Sequence, residues 1–154
     1  MSSNNSKGAD NQQERLKIIG WIVGFTDGEG CFSISIFKNK TSKFGWQVMP
    51  EFVITQSPSS KSVLEAIKDY FNCGNIYINR RYDNHREHVY RYCVRSRIDL
   101  VEKIIPFFNK HSLLTQKKQD FDLFCRVIEL MQQKEHLKLG GLKKIAALVG
   151  KQLT

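Results

Sequence analysis

Two carboxylates, Asp27 and Glu29, alternate with Gly28 and Gly30 directly after the apolar run Ile22-Val23-Gly24-Phe25. With Leu16 and Ile19 that run has helical spacing, so the acids fall at a helix C-terminus. This is the negative pole of the helix dipole, where a carboxylate is penalised. A divalent cation offsets the penalty, and Mg2+ is ordinarily held by one or two carboxylates together with substrate phosphates. The segment therefore points to chemistry on a phosphate, and the rest of the chain must supply a phosphate-bearing partner.

The charge balance points the same way. Lys and Arg number 24 against 15 Asp and Glu, a net charge of +9 over 154 residues. Such an excess fits a polyanion, most simply nucleic acid; a basic surface with no such partner is the alternative. The length suits one domain with its own core, and 41% apolar residues exclude a disordered chain. No apolar run approaches the ~20 residues of a membrane span. The polar stretch from Met1 to Glu14 lacks an apolar signal core, so secretion is not expected. A protein made in a mitochondrion or chloroplast would look the same. Cys31, Cys73, Cys93 and Cys125 show no C-x-x-C spacing and read as small buried hydrophobes in a reducing compartment. Neither they nor the pair His85 and His88, set among charged turn residues, is expected to bind metal.

The elements that must position the acids follow from periodicity. Residues 1–13 are rich in Ser, Asn and Gln and are expected to form a disordered tail. A domain spans 14–135, and 136–154 form a helical extension, within which Gly140-Gly141 is expected to break the chain before a small helix from Leu142 to Val149. The first helix starts near Glu14. It carries Gly20 and Gly24 on one face, each costing roughly 1 kcal/mol in a helix, which close approach of a second helix would explain. Packing on the chain's own sheet is the alternative. A period of two over Cys31–Lys40 marks a strand, a turn covers Thr41 to Gly45, and a second strand ends near Gln56, with Pro50 marking a bulge or an edge. Ser57-Pro58-Ser59-Ser60 opens a helix closed by Asn72-Cys73-Gly74. A second hairpin turns at Tyr82–His85 and returns over Val89–Arg95. Helices follow near Asp99–Asn109 and Thr115–Lys134, the latter with Phe121, Phe124, Val127, Ile128 and Met131 as its buried stripe. The order predicts an α+β fold with an antiparallel sheet, apolar on one face and polar on the other.

Alternation assigns the two faces. With Phe32, Ile34 and Ile36 inward, Ser33, Ser35, Phe37 and Asn39 point outward. On the second strand Gln47, Met49, Glu51, Val53 and Thr55 do so, and on the second hairpin Tyr77, Asn79, Arg81, Arg91 and Cys93. Asn and Gln pair bidentately with adenine and Arg with guanine, and a β-ribbon fits the major groove. A face that binds protein is the competing reading.

With these features together the chain resembles the LAGLIDADG homing endonucleases, specifically the single-motif kind. Three separated matches carry the resemblance over roughly Leu16 to Met131: the helix ending Val23-Gly24-Phe25-Thr26-Asp27-Gly28-Glu29-Gly30, the hairpin ending Ile54-Thr55-Gln56, and the segment Leu113-Leu114-Thr115-Gln116-Lys117-Lys118-Gln119-Asp120-Phe121. The resemblance implies an αββαββα fold with a saddle-shaped sheet laid in the major groove of double-stranded DNA. It also implies a homodimer paired through the motif helices at Gly20, Val23 and Gly24. Two copies would carry twice the chain's charge, +18, and a two-fold pair implies a long pseudo-palindromic target. Glu29, helped by the Gly28 carbonyl, would hold Mg2+, which would activate water and polarise the scissile phosphate. Mn2+ is the expected substitute, whereas Ca2+ would support binding without cleavage. Gln56 takes the position of the family's water-ordering residue. Lys117 takes that of the basic residue that stabilises charge on the phosphate, with Lys118 as the alternative. Asp27 is expected to cap or brace the helix junction.

The chain departs from the family at Val23, where Ala is frequent, and at Glu29, where Asp is frequent; the first widens the helix pairing and the second lengthens the arm to the ion. An intron RNA maturase and a cleavage-dead DNA-binding protein are the rival functions, against which the set Glu29, Gln56 and Lys117 argues. A free-standing protein is expected over an intein, because the chain begins at Met1 and shows no splicing domain.

Overall fold

The computed structural model of the chain describes residues 4–80 and 87–154, with side chains from residue 7 onward. Arg81, His85 and the turn expected at Tyr82–His85 lie outside the described residues.

Helix α1 (Asn4–Glu29) leads directly into strand β1 (Gly30–Lys38), which pairs with β2 (Trp46–Gln56). Helix α2 (Lys61–Phe71), strands β3 (Asn75–Asn79) and β4 (Val89–Val94), and helices α3 (Arg97–Asp99) and α4 (Ile105–Lys110), joined by a π turn over Leu100–Ile104, come next. The long helix α5 (Lys117–Gln132) and a terminal helix α6 (Leu139–Leu148) complete the chain. No helix among the described residues is long and apolar enough to cross a membrane.

Three boundaries differ from expectation, each for a local reason. Helix α1 starts at Asn4, not near Glu14. Residues 7–14 are all exposed; extending an existing helix adds one hydrogen bond per residue fixed and needs no packing partner. Helix α5 starts at Lys117, two residues later than expected, because the Leu114 and Thr115 N–H groups are taken by Asp27. Gly140-Gly141 does not break the chain but lies in the first turn of α6. A Cβ at Gly141 would overlap the Glu135 carbonyl, so the glycine permits a close packing of that turn.

The sheet is antiparallel in the order β1-β2-β4-β3. Ladder pairs Phe32↔Phe52, Ile36↔Val48, Ile54↔Tyr92 and Phe52↔Val94 set the apolar face inward as expected. Pro50 pairs with Ile34 on the β1 side, while the β2–β4 ladder covers only Phe52 to Gln56. The missing N–H therefore falls where β2 has an open edge. Two apolar clusters support the sheet. The larger centres on Phe32, whose ring contacts Phe52, Phe108, Phe121 and Phe124 at 5.0–5.4 Å between centroids, with Ile22, Leu64, Ile67 and Tyr92 also fully buried. The second joins Ile36 and Val48, at the far half of the first hairpin, to Val127, Met131, Leu142, Ile145 and Ala146.

Candidate active site and nucleic-acid interface

Helix α1 passes into β1 with no linker. At the junction Gly30 is obligatory: a Cβ there would sit 2.6 Å from the Thr26 methyl and 2.9 Å from its carbonyl oxygen. This sharp exit leaves Gly28 and Glu29 exposed at the helix end. Among the described residues no hydrogen bond or ion pair engages Glu29, and nothing lies within 4 Å of a Cβ built at Gly28.

Asp27 behaves differently. Its carboxylate accepts from the Leu114 N–H at 2.9 Å, the Thr115 N–H at 3.2 Å and the Thr115 hydroxyl at 2.9 Å. The Thr115 oxygen in turn accepts from the Lys117 N–H at 3.2 Å. Partial burial pushes the Asp27 carboxyl up, but the Leu114 and Thr115 donors and the Lys117 charge outweigh it, so it lies below its ordinary value. Asp27 is thus the clamp that fastens the start of α5 to the end of α1 and brings half-buried Lys117 into its field. That matches its expected bracing role. Lys118 instead pairs with Asp122 at 2.6 Å on the surface of α5.

Gln56 is the last residue of β2. It pairs with Tyr90 and lies two residues beyond the Gly30↔Ile54 pair that opens the β1 ladder. It therefore sits at the edge of the sheet where α1 ends. The described residues contain no cluster of three or more His, Cys, Asp or Glu, so one chain brings to this end a single uncommitted carboxylate, Glu29, flanked by exposed backbone. That donor set suits Mg2+, an ion that takes only one or two protein carboxylates and completes its shell from phosphate and water; it does not suit Ca2+ or Zn2+ cages made of protein alone.

The outward face holds the predicted residues in adjacent rows. Cross-strand pairs place Ser33 beside Glu51, Ser35 beside Met49, Phe37 beside Gln47, Thr55 beside Arg91 beside Tyr77, and Asn79 beside Val89. Phe37 and Tyr77 are exposed by 39% and 45%, unusual for aromatic rings on a face that meets only water.

Two predicted reading residues are not free to read. The Asn39 amide donates to the Gln47 side-chain oxygen at 2.6 Å, and its own oxygen accepts from the Thr41 N–H and hydroxyl, so Asn39 builds the turn. Glu51 faces outward as expected but is only 6% exposed, because Arg91 and Arg95 cover it with contacts of 3.3 and 2.5 Å. Arg95 is the residue missed by the sequence reading. It continues the outward parity of Arg91 and Cys93 one step past the strand, a signal present in the alternation. Its guanidinium lies over the Tyr77 ring at 5.6 Å, and the Glu51 carboxylate raises its pKa. Cys93 and Val53, paired across β2 and β4 on this face, are buried beneath the cluster. Cys31, expected buried, is exposed, since it points outward at the open end of β1.

The motif helix carries an uncovered apolar strip. Leu16, Ile18 and Trp21 are exposed by 59%, 47% and 43%, and nothing lies within 4 Å of a Cβ built at Gly20 or Gly24. The two glycines therefore do not serve packing against this chain's own sheet. Val23 is half-buried.

Comparison with known proteins completes the picture. A profile of the LAGLIDADG endonuclease family matches residues 22–128. The probable intron-encoded endonuclease 2 of Neurospora crassa is 37% identical over 81% of this chain but only 27% of its own length. The DNA endonuclease I-CeuI of Chlamydomonas moewusii is 30% identical over 79% of this chain and 56% of its own. The chain thus spans about a quarter to a half of these curated relatives. Among solved structures, the homing endonuclease I-TnaI superposes with a TM-score of 0.74 at 39% identity, covering 84% of both chains. I-SmaMI bound to cleaved DNA gives 0.76 at 33%, with 86% of this chain matching 42% of that one. Sequence, topology and the placement of the acids at the helix end agree, and the chain belongs to the LAGLIDADG endonuclease family.

Proposed function

We propose that the protein is a homing endonuclease: a homodimer that hydrolyses a phosphodiester in each strand of a long pseudo-palindromic DNA target, with Mg2+ as cofactor. The observation that carries this reading is the pairing of an uncommitted Glu29 with a Lys117 that the Asp27 clamp holds in the field of the same helix end. A binding-only protein has no use for that arrangement. DNA-bound relatives of the same fold, such as I-SmaMI, support it. So does the uncovered strip along Gly20 and Gly24, which fits a second copy of α1.

In this reading Glu29 and the Gly28 carbonyl hold Mg2+, which when bound activates water and polarises the phosphate. Mn2+ can replace it, and Ca2+ supports binding alone. Gln56 donates or accepts a hydrogen bond that orders water at the sheet edge. Lys117 places positive charge against the phosphate as negative charge builds on it. The outward face, with Ser33, Ser35, Phe37, Gln47, Thr55, Tyr77, Asn79 and Arg91, lies in the major groove of one half-site. The names of relatives place them in introns, and an organelle, mitochondrion or chloroplast, is the location that goes with this reading.

The test is a selection from a large duplex pool with Mg2+, run in parallel with Glu29→Gln. Staggered cuts in a partly palindromic site, absent from the variant, are expected. Cutting that survives in Glu29→Gln overturns the assignment of Glu29; binding without cutting by the wild-type protein overturns the nuclease reading.

A further inference from the structure

We propose that Glu51 is a positioning residue that aims Arg91 and Arg95 outward, and that Arg95 reads one guanine in each half-site. The inference rests on the DNA-binding role of this face. Glu51 is the single buried acid among the described residues. Each of its oxygens meets a different arginine: Oε1 accepts from Arg91 Nη2 at 3.3 Å, and Oε2 from Arg95 Nε at 2.5 Å. With a side chain 8% exposed against 33% and 45% for its partners, Glu51 lies behind the guanidiniums and contributes no surface of its own for DNA to meet.

The choice of atoms matters. Arg95 spends its Nε on Glu51, which leaves the Nη1 and Nη2 pair as a planar fork without a partner among the described residues. Two parallel donors match the O6 and N7 acceptors of guanine in the major groove. The Tyr77 ring, 5.6 Å from the guanidinium carbon, adds a cation–π contact that restrains the Arg95 side chain. A free arginine would lose substantial rotamer freedom on binding; here it is ordered in advance. The anion also tempers the charge. Two arginines on one carboxylate present a net +1, which weakens an undirected pull on phosphate and leaves directed hydrogen bonding to set affinity. Arg91 sits on the Thr55 rung of the two central strands, and Glu51 and Arg95 lie one residue beyond their last rung, Phe52↔Val94, so the cluster spans the middle of the sheet.

The experiment is a quantitative binding selection on the full-length protein, with Ca2+ present and Mg2+ absent, comparing wild type, Arg95→Lys, Glu51→Gln and the double variant. Arg95→Lys keeps the charge and loses the fork. It should lower the preference for guanine about tenfold or more at one symmetric pair of positions, with other positions and the salt dependence unchanged. Glu51→Gln should relax that same position, together with the one read by Arg91. The double variant should lose no more there than Arg95→Lys alone, since coupled residues do not add. An unchanged base profile in Arg95→Lys, whose retained charge still serves a phosphate, would mean a phosphate grip and overturn the guanine assignment. An unchanged base profile in Glu51→Gln, with Arg95→Lys altered, would overturn the positioning role. Should the wild-type protein enrich no duplex sequence, the DNA-reading role of the face itself fails.

Discussion

Replacing Asp27 by Ala separates the holding of Lys117 from the other duties of the motif helix. The lost contacts are two backbone N–H donors at 2.9 and 3.2 Å and one hydroxyl at 2.9 Å. Hydrogen bonds to a charged acceptor contribute about 1.5–3 kcal/mol each when shielded, but these are solvent-exposed, and removing a capping carboxylate costs about 0.5–2 kcal/mol. Three bonds released together therefore place the loss near 2 kcal/mol. For a chain of this size that lowers Tm by about 4–8 °C, compared at one protein concentration because the proposed dimer would make Tm depend on it. Asp27→Asn keeps an acceptor, loses the charge, and should fall about halfway. The pH dependence has a definite sign. The folded carboxyl lies below its ordinary value of 3.8, so its stabilisation is fully present above pH 3.8 and disappears as pH falls through the lower folded value. Calorimetry should show the gap between wild type and Asp27→Asn constant near neutrality and closing below pH 3.8. Single-turnover cleavage should slow by tenfold or more in Asp27→Ala while target binding with Ca2+ holds, since Lys117 leaves the helix end and the reading face does not move. An unchanged Tm, or a gap that closes between pH 5 and 7, would refute the clamp.

Gly24→Leu should leave the single chain folded, because a Cβ there meets open space and glycine is the poorer helix former by about 1 kcal/mol. It should nevertheless shift sedimentation from dimer to monomer and abolish cleavage; an intact dimer would refute pairing through this face. Phe32→Ala removes the ring shared by Phe52, Phe108, Phe121 and Phe124 and should cost about 3–5 kcal/mol in chemical denaturation. Gly141→Ala puts a methyl onto the Glu135 carbonyl and should cost about 1–3 kcal/mol, read as accelerated hydrogen exchange in α6 with exchange near Phe32 unchanged.

The sheet was legible in the sequence because burial writes a period of two. The inward Phe32, Ile34 and Ile36 of β1 and the outward residues assigned on β2 and β4 all match the observed ladder. The stripe of α5 was legible for the corresponding reason at a period of 3.6. What periodicity cannot carry is how polar side chains bond to one another across the sheet. Parity correctly set Glu51, Arg91 and Asn39 on the outer surface, but whether an outward side chain meets a ligand or a neighbour depends on partners 40 residues away in the chain, as for Arg91 and Glu51. The clamp at Asp27 spans 87 residues to Leu114 and left only its shadow in sequence, an acid at the wrong pole of a helix. The start of α5 was misplaced for the same reason, since its first N–H donors were already spoken for. The Gly20/Gly24 spacing points to a face for a second helix, and this chain leaves that face uncovered, whereas Gly140-Gly141 reads as a break because a contact that only glycine permits looks in sequence like a lack of structure.

The division of support beneath the sheet has a consequence for retargeting. Phe32, Phe52 and Ile54, next to the helix end that carries Glu29, rest on one cluster, while Ile36 and Val48, toward the hairpin tip, rest on another built from α5 and α6. The tip therefore owes its shape to residues other than Glu29, Gln56 and Lys117, which carry the proposed chemistry. On the proposed DNA-binding role, exchanging α6 for that of a relative would reshape the hairpin tip more than the ground under the acids, since α6 residues belong only to the second cluster. The two halves of the hairpin are thus tuned by different side chains, coupled through Ile34 and α5, which touch both clusters.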